Sequence, residues 1–343
     1  MKHMKFLSFF LGVTFSIVAC SSNNEIIPVP DVDPDGDDGT TEVEFAKGAD
    51  IGWVTEYESK GYNFYNAKGE QRECTALMKE LGLNAIRIRV WVDPSKHGNW
   101  CNTADVVEKA KRAKELGMDV MIDFHYSDWW ADPAQQNKPA SWVGKNLANL
   151  KSAIKDHTVS VLQALKTIGV IPKWVQVGNE IRPGMLWDED VALSGASYNV
   201  TEKDLKDAPA SATDKVVYPM NWANLGAFVT TGYDAVKSVF PDAIVIVHLD
   251  NGWDSGLFTW FFDELKKNGS KWDMIGMSLY PYWSRDAKEG YSSADAVITD
   301  CISNIKALST KYNCDVMVVE TGMECADDNG KLASNSVLNE GKR

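Results

Sequence analysis

Past its first twenty residues the chain lacks any apolar run long enough to cross a membrane, which excludes a polytopic membrane protein. It is also short of positive charge. Lys and Arg number 35 against 48 Asp and Glu, a net −13, so neither a phosphate-binding surface nor a nucleic acid partner is expected. No GxGxxG or GxxxxGKS/T pattern follows a strand candidate, which argues against a nucleotide site. No two of the six cysteines stand as CxxC, so zinc is not expected either. With 44% hydrophobic and 24% charged residues the composition is that of an ordinary globular domain, which excludes disorder and collagen. What is abundant is tryptophan, 13 in 343 residues. Burial accounts for roughly half of such a set on the general tendency of the residue. The remainder suits a cleft that stacks on the apolar faces of sugar rings.

The N-terminus reads as an address. Lys2 and Lys5 precede an apolar run, Phe6 to Ala19, which has signal-peptide length. The run closes on Ile17, Val18, Ala19 and Cys20, followed by Ser21 and Ser22. This resembles a bacterial lipobox, whose cysteine is lipidated and becomes the mature N-terminus. From Ser21 to Glu44 there are eight acids and no Lys or Arg, a self-repelling stretch that cannot bury a core. The expected division is therefore signal peptide 1–19, acidic tether 20–45 and folded domain 46–343. A lipid on Cys20 would be the only membrane attachment, giving a bacterial lipoprotein of the outer membrane and cell surface. Disulfides are permitted there. Cys301 and Cys314 bracket one helix and are candidates to pair, and the pairing among Cys74, Cys101, Cys301, Cys314 and Cys325 is otherwise open.

From Gly48 onward, apolar runs alternate with helical periodicity. The strand candidates are Ala49–Trp53, Ala85–Trp91, Val120–Tyr126, Trp174–Glu180, Ile244–Asp250, Met274–Tyr280 and Val316–Thr321. Near-continuous apolar runs of this kind suit strands buried on both faces. A phrase recurs, KELGLNAIRIRVW, KELGMDVMIDFHY and KTIGVIPKWVQVGNE, in which a helix closes at Gly82, Gly117 or Gly169 before a strand. Repeated helix–Gly–strand units predict an α/β fold with right-handed crossovers, a (β/α)8 TIM barrel in preference to a doubly wound sheet. After Thr321 only 22 residues follow, too few for the last units, so the barrel is expected to be truncated before strand 8.

Barrel chemistry lies at the C-terminal ends of strands. Those ends carry Arg87, Arg89 and Trp91, then His125, Tyr126, Asp128, Trp129 and Trp130, then Asn179 and Glu180. His248 and Asp250, Tyr280 and Trp283, and finally Glu320 follow. One reading is a buried polar network that holds the barrel top together. The other is catalysis: Glu180 and Glu320 are the two carboxyl groups that glycosidic bond cleavage needs, one protonated and one ionised. Trp91, Trp129, Trp130, Trp187 and Trp283 would then serve as sugar platforms. A metal site built on His125 and Asp128, or His248 and Asp250, competes for the same residues, but the first strand, GADIGW, lacks the HxH of barrel metallohydrolases. His97 and His157 read as loop and helix-surface residues.

At these residues the chain resembles the arabinogalactan endo-β-1,4-galactanases, glycoside hydrolase family 53. The matching stretches include KGADIGWVTEYESKG, NAIRIRVWVDP, MIDFHYSDWWADPAQQNKPASW, VQVGNEIRPGMLW, DMIGMSLYPYWS and DVMVVETG, and the likeness spans Phe45 to Gly322. The resemblance implies a retaining barrel enzyme with catalytic Glu after strands 4 and 7, its carboxyl groups about 5–5.5 Å apart. Glu180 would be the general acid/base and Glu320 the nucleophile. Asn179 would bind the sugar 2-hydroxyl and Tyr280 would orient Glu320. Arg89, His125 and His248 would line the −1 subsite, with Trp91, Tyr126, Asp128, Trp129, Asp250 and Trp283 around the substrate. The implied partner is β-1,4-galactan or its oligosaccharides, cut internally by a monomer. No cofactor is required. Some bacterial relatives hold a structural calcium in the loop after strand 7, which here reads ECADDNGK without a full set of oxygen ligands. The family's GVxYWEP segment, whose Trp floors the −1 subsite, is lacking in this chain. The alternatives are a surface glycan-binding lipoprotein with little turnover, or a clan relative acting on another β-1,4-glycan.

Overall fold

A computed structural model describes residues 45–187, 222–281 and 294–322. A parallel sheet runs through them in the order β1 (Gly48–Asp50), β4 (Ala85–Val90), β5 (Asp119–Phe124), β6 (Trp174–Val177), β7 (Ile244–Leu249), β8 (Met274–Leu279) and β9 (Asp315–Thr321). Each strand pairs with its sequence neighbour in that series, and helices cross over between them, as in a (β/α)8 barrel. The crossovers are α2 (Cys74–Glu80), α3 (Thr103–Glu115), α4 (Leu147–Thr167), α5 (Trp222–Val239), α6 (Ser255–Lys267) and α7 (Ala294–Tyr312), and a short α1 (Val54–Ser59) follows β1. Among the described residues β1 and β9 are the two edges of the sheet. A two-residue hairpin, β2 (Phe64–Tyr65) with β3 (Gln71–Arg72), lies outside the sheet, and no strand was expected there.

The recurring phrase has one stereochemistry. Gly82, Gly117 and Gly169 sit at φ +85°, +64° and +69°, and after each the chain folds back on the helix. The Leu83, Met118 and Val170 amides donate to Met78, Ala113 and Leu165 carbonyls at 3.1, 2.9 and 3.0 Å. That is the Schellman closure, which needs a left-handed residue and therefore favours glycine. Gly269, at φ +73°, repeats it before β8, with Ser270 donating to Leu265 at 3.0 Å.

Inside the barrel the side chains change character with height. Ala85, Met121, Trp174, Ile246 and Met274 form a buried apolar floor. Two residues on, facing the same side by strand alternation, stand Arg87, Asp123, Gln176, His248 and, on β8, Gly276 and then Ser278. The outer faces of the strands pack on the helices in one large core.

Several expectations are corrected. Six of the seven strands stop one to three residues earlier than their apolar runs, because the chain turns out of the sheet to present side chains at the mouth, while the last ends at Thr321 as expected. Cys301 and Cys314 are free thiols, as are Cys74 and Cys101. Cys301 sits in the middle of α7 against Met277, and the eleven residues to the helix end span about 16 Å at 1.5 Å per residue, far beyond a disulfide's reach. His157 is not on a helix surface. It lies edge-on to Phe124, Tyr126 and Trp142, and its Nε2 is buried without a partner among the described residues. The expectations for the signal, Cys20 and the tether, for Trp283 and Cys325, for the ECADDNGK loop and for a barrel truncated before strand 8 lie outside the described residues.

Burial pushes His157 down to about 4, so the folded state resists its protonation. A depressed histidine leaves stability intact above the unfolded value near 6.5, and that stability drains as pH falls toward 4. Over that interval the loss amounts to ~3 kcal/mol. His157→Leu is expected to flatten the pH dependence of urea unfolding between pH 6.5 and 4, and an unchanged slope would refute this account.

Candidate active site

Glu180 follows β6 in a left-handed backbone conformation, φ +46°, that a residue with a Cβ adopts only when its surroundings enforce it. Three hydrogen bonds do so. Gln136 Nε2 donates to the Asn179 and Glu180 carbonyls at 2.7 and 3.2 Å, and the Ile181 amide donates to His248 O at 3.0 Å. The carboxyl group is thereby carried into the barrel mouth, buried, with Ser278 Oγ at 2.6 Å from its Oε1. Burial first, then the charges of Glu320 and Asp250, push Glu180 well above the usual carboxylate range, against a smaller opposing pull from Ser278.

Glu320 arrives by a different device. On β9, Met317 and Val319 pack against the barrel floor, so strict alternation would turn Glu320 outward. The β8–β9 ladder shifts register at this point, from Met277 opposite Val318 to Ser278 opposite Glu320. The bulge re-aims the side chain inward. There Glu320 Oε1 meets Arg87 Nη2 at 2.8 Å, and Oε2 accepts from Tyr280 Oη at 3.1 Å. Burial, then Glu320 itself, raises the Tyr280 phenol, which stays a donor.

Arg87 joins these groups. Its guanidinium is buried and reaches Asp50 and Asp123 at 2.9 Å and Asn179 Oδ1 at 2.8 Å, as well as Glu320. Burial alone would raise Asp123, but Arg87 together with His125 and His248 outweighs it, and Asp123 is held down at about 2. His125 donates from Nε2 to Asp123 at 2.9 Å, because its Nδ1 accepts from the Ala131 amide at 2.9 Å. Both its ring nitrogens are thus engaged by protein. Asn179 donates to Ala131 O at 2.8 Å and accepts from Arg87 and from Gln176 Nε2. Asp250 is held in a two-pronged pair with Arg182 at 2.7 and 2.6 Å.

The resemblance implies Arg89 at the −1 subsite; the arginine that pairs with Glu320 is Arg87. Arg89 lies one inward position higher, over the Trp130 and Trp91 rings at 4.2 and 5.2 Å. Trp129 stacks on His97 at 3.7 Å and packs on Trp91 at 4.5 Å, so His97 belongs to the aromatic shelf at the ends of β4 and β5. Trp130 is 39% exposed and offers an open face, whereas Trp91 and Trp187 are buried in this structure and present none. Trp187 is pinned by its indole to Pro183 O at 3.0 Å. Tyr126 faces away from the mouth and bonds Thr158 of α4 at 2.7 Å, as its place one residue after inward His125 requires. The Asp128 carboxylate accepts the Asp93 and Ala140 amides at 2.9 Å each, so it staples two loops. Asp123, Gln176 and Ser278 were missed, although each lies on an inward stripe readable by counting back in twos from the strand end. Among the described residues no cluster of His, Cys, Asp or Glu has the arrangement of a metal site.

A parallel barrel whose mouth sets a buried carboxyl group against an arginine-paired one, beside an aromatic shelf, is the frame of a glycoside hydrolase. The family model described as Glycosyl hydrolase family 53 matches residues 46–342, and the chain belongs to that family. It is 36% identical to an uncharacterized protein of Niallia circulans, over 82% of this chain and 68% of that one. It is 32% identical to the arabinogalactan endo-β-1,4-galactanase of Thermothelomyces thermophilus, over 80% of this chain and 73% of that enzyme. Among solved structures, the GH53 catalytic domain of Ignisphaera aggregans is similar with a TM-score of 0.70 at 28% identity, covering 92% of this chain and 77% of that one.

Removing one partner of a buried ion pair strands the other charge, at about 3–5 kcal/mol. Arg87→Met is expected to destabilise by that amount in urea unfolding. Adding Asp123→Asn to Arg87→Met should recover part of the loss, and strict additivity of the two changes would show that they are not coupled.

Proposed function

We propose that the chain is an endo-acting hydrolase of β-1,4-galactan that works by double displacement with retention. The observation that carries this reading is the unequal pair of glutamates. Glu180 is buried among anions and so holds a proton. Glu320 is paired with Arg87 and hydrogen-bonded by Tyr280, so its carboxylate is held in one orientation. In the first step Glu320 attacks the anomeric carbon while Glu180 gives its proton to the departing glycosidic oxygen. In the second, Glu180 takes a proton from water, which attacks the same carbon and releases Glu320. The relatives' names support galactan as the substrate. The Trp129–Trp130 shelf supplies apolar faces for further sugar rings along the polymer.

Linear β-1,4-galactan incubated with the chain should yield short β-1,4-galacto-oligosaccharides. Glu320→Ala should lower turnover at least 10³-fold, roughly the scale of losing a nucleophile, while galactan still binds. Ordinary turnover by that variant would remove Glu320 from the role. Galactan bound without cleavage by the parent chain would favour the glycan-binding alternative.

We further propose that the protein is a lipoprotein held to a bacterial surface through Cys20 and the acidic tether. The basic start, the short apolar run and the lipobox-like close support this. Cys20→Ala should move the protein from the membrane to the soluble fraction, and continued sedimentation with membranes would refute the anchor.

A further inference from the structure

Behind Glu180 runs a short chain of polar groups that the two-carboxylate reading leaves without a task. Ser278, near the end of β8, is buried, and its Oγ lies 2.6 Å from Glu180 Oε1 and 2.8 Å from His248 Nε2. The direction of these bonds follows from the other side of the imidazole. His248 Nδ1 faces Gln176 Nε2 at 3.0 Å, Asn179 Oδ1 at 3.1 Å and the Glu180 backbone amide at 3.4 Å. Asn179 Oδ1 already accepts from Arg87 at 2.8 Å and from Gln176 Nε2 at 3.1 Å, so its lone pairs are taken and it does not call for a proton from Nδ1. A backbone N–H only donates, and the Gln176 amide is oriented by its bonds to Arg87 through Oε1 and to Asp123 through Nε2. Nδ1 therefore accepts, Nε2 carries the ring proton, and that proton goes to Ser278 Oγ. With its lone pair so used, the Ser278 hydroxyl donates to Glu180 Oε1. Burial, then the nearby Arg87, keeps His248 neutral, so the relay carries no charge of its own.

We propose that Ser278, set by His248, is a positioning residue for the acid: it occupies Oε1 of Glu180 and leaves the transferable proton on Oε2. An oxygen that accepts a hydroxyl at 2.6 Å has its lone pair engaged on that side. Among the described residues no side chain donates to Oε2, which is the oxygen left for the glycosidic bond. The groups facing Glu180 are Glu320 on β9, Asp250 just after β7 with its partner Arg182, Tyr280 beyond β8 and Asp132 after β5. Arg87 on β4 bonds the adjoining Asn179. Of these and Ser278, only Ser278 makes a side-chain hydrogen bond to the carboxyl. The proposal rests on Glu180 being the acid.

The test compares kcat/KM against pH for the parent and Ser278→Ala on two substrates, linear β-1,4-galactan and a dinitrophenyl β-galactobioside, whose leaving group needs no proton. Ser278 stabilises the ionised carboxyl, so its loss should raise the acid's pKa and move the basic limb upward by about one pH unit. Activity on galactan should fall about tenfold or more, and on the dinitrophenyl substrate less than about threefold. An unmoved limb with equal losses on both substrates would mean a structural role only and overturn the proposal. Ser278→Cys, a weaker donor in the same place, should shift the limb the same way by less, and it serves if the alanine variant does not fold. Glu180→Gln separates the two readings. If it keeps the parent's galactan activity, the acid assignment falls and this inference with it. If it is inactive while Ser278→Ala is unshifted, only this inference falls.

Discussion

One buried guanidinium holds the mouth of this barrel together. Arg87 reaches from the second barrel strand to Asp50 on the first, Asp123 on the third, Asn179 after the fourth and Glu320 on the seventh. No apolar packing could link five strands at one height, because dispersion and burial have no direction. Asp50 also meets Arg89 at 3.5 Å, so three carboxylates share two arginines. Glu180, beside this cluster, is kept protonated first by its burial and then by the charges of Glu320, Asp250 and Asp132. The arginine that pairs with the proposed nucleophile thus also fixes the place of one of the charges that keep a proton on the proposed acid.

The local backbone yields to this arrangement. Glu180 is held at a positive φ and β9 breaks its register beside Ser278, two departures from ideal geometry on two strands, each ending at a functional carboxyl group. A left-handed non-glycine residue costs about 1–3 kcal/mol, and a bulge leaves a residue unpaired. Both persist because neighbours over-determine them: Gln136 and His248 around the first, Arg87 and Tyr280 around the second.

Much of this was legible in the residues. All seven strands of the sheet were found, since strands buried on both faces read as apolar runs, and Gly82, Gly117 and Gly169 announced where three of the helices stop. Both glutamates stood out because a charge closing an apolar run has few bland explanations. The hairpin Phe64–Arg72 was invisible because two residues per strand carry no period. Choosing Arg87 over Arg89 required knowing how far down the barrel each side chain enters, which spacing along one strand does not say. Asp128 staples two loops, so its place depended on contacts between segments distant in sequence. Tyr126 and Trp187 were assigned to the cleft on residue type, whereas strand parity in one case and loop packing in the other take them out of it.

The inward stripes change from apolar to polar halfway up the barrel, and this has an electrical meaning. Ala85, Met121, Trp174, Ile246 and Met274 form an apolar plug beneath the layer of Arg87, Asp123, Gln176 and His248. Of these side chains only the Trp174 indole can hydrogen-bond, so the plug offers water little hold and weakens solvent screening from below. Field lines avoid low-dielectric walls and leave through the open end. The floor therefore acts as an insulator that sends the potential of the buried ions toward whatever enters the mouth.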